Sequence, residues 1–178
     1  MKTRPNTNDT IVKAALWLVV WAGILYSIAF SKWFIDLVAN PFALFLSHLT
    51  SEVIIFLGFQ IERAGTIITA SGLSLEIYYM CTGIYQMAGF MAAVLAFPTN
   101  YQNKIIGCVW GFFGIGILNL TRILSIFFVG FYFPNGVIIF HGVIWQVLMI
   151  LFSLLLWMLW ANKNFRDIRK NQTVAANP

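Results

Sequence analysis

Between Ile105 and Phe133 the chain carries a single formal charge, Arg122. Ile11 to Phe30 and Ile138 to Ala161 are apolar runs of the same kind, the first interrupted only by Lys13. About 20 such residues let an α-helix cross the ~30 Å hydrocarbon layer of a bilayer. Composition agrees with this reading. Of 178 residues, 60% are hydrophobic and 10% charged, with mean hydropathy +0.82; a soluble domain is ~25% charged. The sequence therefore predicts one all-α polytopic membrane domain over residues 1–178, embedded in a lipid bilayer.

The net charge of +5 does not point to nucleic acid, because the bases lie beside apolar runs rather than among exposed aromatics. No small-residue cleavage site follows the first run, so it reads as a retained span and not a signal peptide. Two cysteines are too few for a disulfide scaffold.

Four spans are expected, at about 11–32, 81–98, 105–131 and 138–161. Region 36–80 between the first two is the least membrane-like. Asn40-Pro41 reads as a helix start. After it Phe42, Phe45, Leu46, Leu49, Val53, Phe56 and Leu57 recur at helical spacing, with Ser47, His48, Ser51 and Glu52 largely opposite. An amphipathic helix at the interface, closed by Gly58, fits this pattern; a fifth span is the alternative. Residues 66–77 are rich in β-branched types, alternate in the second part, Leu73 to Ile77, and carry Ala70-Ser71-Gly72 between, which predicts a β-hairpin. Open strand edges are not tolerated in hydrocarbon, so the hairpin lies outside it.

Basic residues set the orientation. With four spans, Lys2, Arg4, Lys13, Lys104, Lys163, Arg166, Arg169 and Lys170 fall on one side. Lys32, Arg63 and Arg122 fall on the other, with Asp36, Glu52, Glu62 and Glu76. Both termini are expected in the cytoplasm, ahead of a disordered polar end, and region 36–80 outside the plasma (inner) membrane.

Three chemically useful side chains then reach one depth. Cys81 to Pro98, Lys104 to Arg122 and His141 to Asn162 are about 17, 18 and 21 residues apart. At ~1.5 Å per residue each distance approaches the hydrocarbon thickness. A thiol becomes a good nucleophile when ionised, and a helix N-terminus or a nearby cation favours that form. His141 can take the thiol proton and later protonate a leaving amine. Arg122 stays charged and cannot be a base; it suits a developing oxyanion or a substrate carboxylate. Gly83 lets another backbone approach the thiol, Thr82 offers a hydrogen bond, and Asn119 shares a helix face with Arg122 and can hold its guanidinium. Glu76 is placed to orient His141 or meet a substrate.

Plainer roles compete with these. A cysteine in an apolar protein is often a small buried hydrophobe, and a histidine near a span end is often a packing residue. An arginine inside a span is costly enough that function is the default reading. Cys108, one turn from Lys104, is expected to be inert packing and out of disulfide reach of Cys81. His48 is the rival base. No Gly-rich phosphate loop, His-x-x-x-His pair or Cys-x-x-Cys is present, so no metal and no cofactor is expected.

Cys81-Thr82-Gly83-Ile84, Asn119-Leu120-Thr121-Arg122 and His141, in this order, resemble the exosortase/archaeosortase family of membrane cysteine transpeptidases, over roughly Glu76 to Trp160. The resemblance implies that Cys81 is the nucleophile, His141 the general base or acid and Arg122 the transition-state or carboxylate partner. It implies an exported protein substrate with a C-terminal motif, a hydrophobic helix and a basic tail, cut at the outer face, with acyl transfer to an acceptor. Many members are longer and cross the membrane more often; this chain is similar to the short exosortase H type. The competing reading is a non-enzymatic membrane subunit of an export or assembly complex.

Overall fold

The computed structural model describes the backbone of residues 7–176 and the side chains of residues 12–164. The charges of Lys2, Arg4, Arg166, Arg169 and Lys170 lie outside the described residues. Helix α1 (Thr7–Ala29) leads to a sharp turn, where the Ser31 hydroxyl accepts the Phe34 N–H at 3.3 Å and caps the next helix. That helix is one continuous run: α2 (Lys32–Phe34), a π-helical turn (Ile35–Ala39) and α3 (Asn40–Phe56). The start expected at Asn40-Pro41 is thus displaced to Lys32. The π-turn, closed by Asn40 N–H to the Ile35 carbonyl, absorbs a proline that has no N–H to give.

Gly58 does close α3. It takes φ +90°, Gly58 N–H reaches Ile55 O at 2.9 Å, and Phe59 N–H reaches Ile54 O at 3.3 Å. These are the two bonds of a Schellman cap. Strands β1 (Glu62–Ala64), β2 (Ile67–Ala70) and β3 (Leu73–Glu76) form an antiparallel sheet in that order. The expected hairpin is β2–β3, with Ser71 and Gly72 both at positive φ in its two-residue turn. β1 adds a third strand to it.

Helix α4 (Ile84–Ala96) is shorter than the span expected over 81–98. Its start is fixed by left-handed Gly83, and it stops because Phe97, before Pro98, is extended. Its 13 residues measure only ~20 Å. Asn100 caps α5 (Tyr101–Tyr132) by accepting Asn103 N–H at 2.9 Å. A short helix α6 (Val137–Ile139) and a π-turn (Phe140–Ile144) lead into α7 (Trp145–Ala176). The polar end after Lys170, expected to be disordered, continues this helix as far as Ala176.

The helix ends sort into two groups. At one, the Tyr26 hydroxyl donates to Tyr85 O at 3.1 Å and Phe30 stacks on Tyr85, ring centroids 4.6 Å apart. At the other, Trp160 Nε1 donates to Asn103 O at 3.2 Å and the Lys104 ammonium to Leu95 O. Among the described residues four helices are long and apolar enough to cross a membrane: Val12–Ala29, Lys32–Phe56, Tyr101–Tyr132 and Pro134–Asn164. Lys32–Phe56 nevertheless begins beside the end of α1 and ends among Ile68, Ile123 and Phe127, on the Tyr85 side. It starts and finishes at the same end of the bundle.

Its small polar side turns into the protein, with Leu46 beside it. Ala43, Leu46, Ser47, Thr50, Ser51 and Ile54 are buried, while Leu44, Phe45, Ile55 and Phe56 are exposed. Small side chains let α3 sit close to its neighbours, and the Ser47 hydroxyl donates to Gly65 O at 3.1 Å. One core lies between the helices, around Met87, Phe90, Ile115, Trp145 and Met149. A second lies under the sheet, around Ile54, Ile68, Ile77 and Phe127, where Phe59 packs edge-on against three phenylalanines of α5.

Candidate active site

The seam between the two cores holds Cys81. It closes a 3-10 turn (Tyr79–Cys81) ahead of α4, with its N–H on Tyr78 O at 2.8 Å. The Thr82 hydroxyl donates back to Tyr79 O at 2.6 Å, so it shapes the turn and does not face a substrate. Gly83 then takes φ +77°, and a Cβ there would lie 3.1 Å from Asn119 Cγ. What comes close at Gly83 is thus the Asn119 side chain rather than another backbone. Asn119 Nδ2 donates to the Cys81 carbonyl at 2.9 Å. It ties the Cys81 turn to α5 instead of holding the guanidinium, as the sequence had suggested.

One helical turn later, Arg122 is 7% exposed and places Nη2 3.5 Å from His141 Nδ1. A guanidinium only donates, so Nδ1 accepts and the imidazole proton sits on Nε2. Arg122 Nε has no hydrogen-bond partner among the described residues. His141 lies in the π-turn, a device that re-aims a helix face. A cavity of about 160 Å³ is lined by Cys81, Arg122, His141 and Glu76 together, with Leu75, Ile77, Tyr78, Ile123, Ile126 and Val137. The long α5 projects beyond Arg122 because its last turns pack under the sheet, as Gly130 does against Leu73.

Other candidates stand apart. His48 is exposed and faces Glu52 at 3.8 Å, away from the cavity, so it is not the base there. Cys108 packs against the inter-helix core, and both cysteines are free thiols. Cys81 does not begin a helix, and burial pushes its thiol above the ordinary value; the Arg122 charge opposes this without reversing it. Of the two lowering influences expected from the sequence, a helix N-terminus and a nearby cation, the turn supplies only the cation.

The family model described as transmembrane exosortase matches residues 12–161. The chain belongs to the transmembrane exosortase family. No curated protein and no solved structure matches it. Membership makes it, in general terms, a membrane transpeptidase. The match takes in most of α1, the sheet, the turn that holds Cys81 and the helical segments that carry Arg122 and His141. In this exosortase the cavity also takes in Leu75, Ile77 and Tyr78, which sequence reasoning left out of the site. Their signal was the period-two alternation through Leu73, Leu75 and Ile77, read for its strand and not for what the strand borders.

Proposed function

We propose that this exosortase is a cysteine protease and transpeptidase, cutting the C-terminal sorting signals of exported proteins at the outer face of the plasma (inner) membrane. The observation that carries this reading is the cavity shared by Cys81, Arg122 and His141. The biased distribution of basic residues supports cytoplasmic termini and an extracytoplasmic site.

A substrate carbonyl enters the cavity. Cys81 Sγ attacks its carbon while His141 takes the thiol proton. The guanidinium leaves Nδ1 for the oxyanion, which frees that nitrogen to act as base. The tetrahedral adduct collapses, the C–N bond breaks, and His141 returns the proton to the leaving amine. Water or an amine then attacks the thioester, gives its proton to His141 and restores the Cys81 thiol. Asn119, Thr82 and Gly83 hold the nucleophile's turn. A substrate anchored by its own helix in the same bilayer presents its motif at this depth.

The test is an exported reporter library that ends in about six randomised residues, an apolar helix of ~20 residues and a basic tail. Processing should occur for some members with the wild-type chain. It should be lost in Cys81→Ala and fall sharply in Arg122→Ala and His141→Ala at equal membrane levels. Processing by Cys81→Ala would overturn the reading.

A further inference from the structure

Of the sheet's two outer strands, β3 is the one that ends beside the thiol, and no further strand pairs with it among the described residues. The strand order β1-β2-β3 leaves β3 on the outside. Ile77 N–H reaches Thr66 O at 2.9 Å, which continues the β2–β3 register and makes this a hydrogen-bonded pair. Such pairs recur every second residue, so Leu75 and Leu73 also turn their backbone groups toward β2. The N–H and C=O of Ser74 and Glu76, and the N–H of Tyr78, therefore point away from it. The Tyr78 carbonyl is already taken by Cys81 N–H. Ser74, Glu76 and Tyr78 are exposed. Glu76 and Tyr78 line the same cavity as Cys81 and His141.

We propose that this free edge of β3 is the substrate-recognition element: the exported protein's motif docks on it as an added, parallel strand that delivers the scissile bond to Cys81. This rests on the protease reading above. An unpaired strand edge recognises an extended backbone, with main-chain bonds giving affinity and flanking pockets giving sequence preference. Direction follows from the fold. β3 starts beside Gly130 and Phe131, near the far end of α5, and ends at the level of Arg122. A chain whose hydrophobic tail follows its motif must travel the same way, from outside toward the bilayer. In a parallel pairing one substrate residue gives its N–H to Ser74 O and accepts Glu76 N–H. The residue two further on bonds Glu76 O and Tyr78 N–H. The cut then falls just beyond, facing the thiol.

Two measurements test this with the reporter members that the wild-type chain processes. Glu76→Pro removes a donor from the free edge without touching the β2–β3 ladder. It should slow processing at least about tenfold at an unchanged membrane level. In a Cys81→Ala background, Ser74→Cys and Glu76→Cys should each form a disulfide with a cysteine scanned through the reporter motif. The reporter position trapped by residue 76 should lie two residues C-terminal to that trapped by residue 74. The reverse order, or no positional preference, overturns the parallel-strand assignment even if Glu76→Pro misfolds. Full processing by Glu76→Pro overturns it while leaving the protease reading intact. Disulfides between two enzyme chains through these positions, without reporter, would mark the edge as a dimer contact and also overturn it. Processing by Cys81→Ala, or none by the wild type, would instead fail the protease reading itself.

Discussion

Asn119 Nδ2 and the Cys81 carbonyl meet at 2.9 Å across 38 residues of sequence, and the asparagine is fully buried. One turn along the same helix, Arg122 reaches His141. Helix α5 therefore sets the spacing between Cys81 and His141 from a single element. A reacting pair held this way loses rate steeply when displaced, by up to ~100-fold for about 1 Å.

Asn119→Asp checks that role. The substitution keeps the shape and removes the donor, leaving two acceptors facing each other in a buried place. Processing of the reporter should fall further than in Asn119→Ala. Either variant should lose about 1–3 kcal/mol of stability, the cost of an unpaired buried polar group. Thermal aggregation of the purified protein, beside the processing rate, reads both effects. An Asp variant as active as wild type would remove the anchor from the account.

Gly83→Ala should be damaging for a different reason. A left-handed backbone costs a non-glycine residue ~1–2 kcal/mol, and the new Cβ would press on Asn119 at 3.1 Å. The Cys81 turn must shift or the asparagine must retreat. Processing should drop about tenfold or more while the amount of protein in the membrane changes little. Gly23→Ala, where a Cβ meets nothing within 4 Å, should behave as wild type.

The Cys81 thiol should titrate late. Burial raises its pKa and Arg122 only partly opposes that, so ionisation is expected at higher pH than for an ordinary thiol. Alkylation by a small, membrane-impermeant reagent should be slow at pH 7 and keep accelerating past about 8.5, where a free thiol begins to level off. Arg122→Leu removes the lowering charge and should push the curve still higher. A rate already at its plateau by pH 7 would mean a standing thiolate. No dependence on residue 122 would favour a structural cysteine in a non-enzymatic subunit.

Cys108→Ala serves as the contrast. Cys108 packs on the inter-helix core away from the cavity, and its replacement should leave reporter processing within about twofold of wild type. Loss of processing at normal membrane levels would break the separation of the two cysteines.

The sequence was legible where one residue type dominates locally. Gly58 and Ser71-Gly72 mark an end and a turn by backbone chemistry that does not depend on the rest of the fold. Cys81, Arg122 and His141 stood out because polar groups are rare in apolar runs, and the structure brings all three to one cavity. The miscounted parts depended on tertiary context. Periodicity separated Phe45 and Phe56 from Ser47 and Ser51 in α3, but that the small polar side turns into the protein depends on what the helix packs against. Helical rise overestimated α4, because Cys81 and Gly83 belong to a turn and not to the helix. Asn119 was placed on the correct face; its partner, a carbonyl from another segment, leaves no trace in spacing.

The helical run Lys32–Phe56 offers the sharpest topological prediction. It has the length and hydropathy of a span, yet its contacts return it to the end from which it starts. In a chain with both native cysteines changed to serine, Lys32→Cys and Gln60→Cys flank this run at exposed positions. Gln102→Cys lies at the opposite end of the bundle, beside Asn103 and Lys104. An impermeant maleimide applied to intact cells should label residues 32 and 60 alike, and residue 102 only after permeabilisation. Labelling of 32 without 60 would make the run a true crossing. It would carry the sheet and Cys81 to the other side of the membrane, where an exported substrate's motif does not arrive.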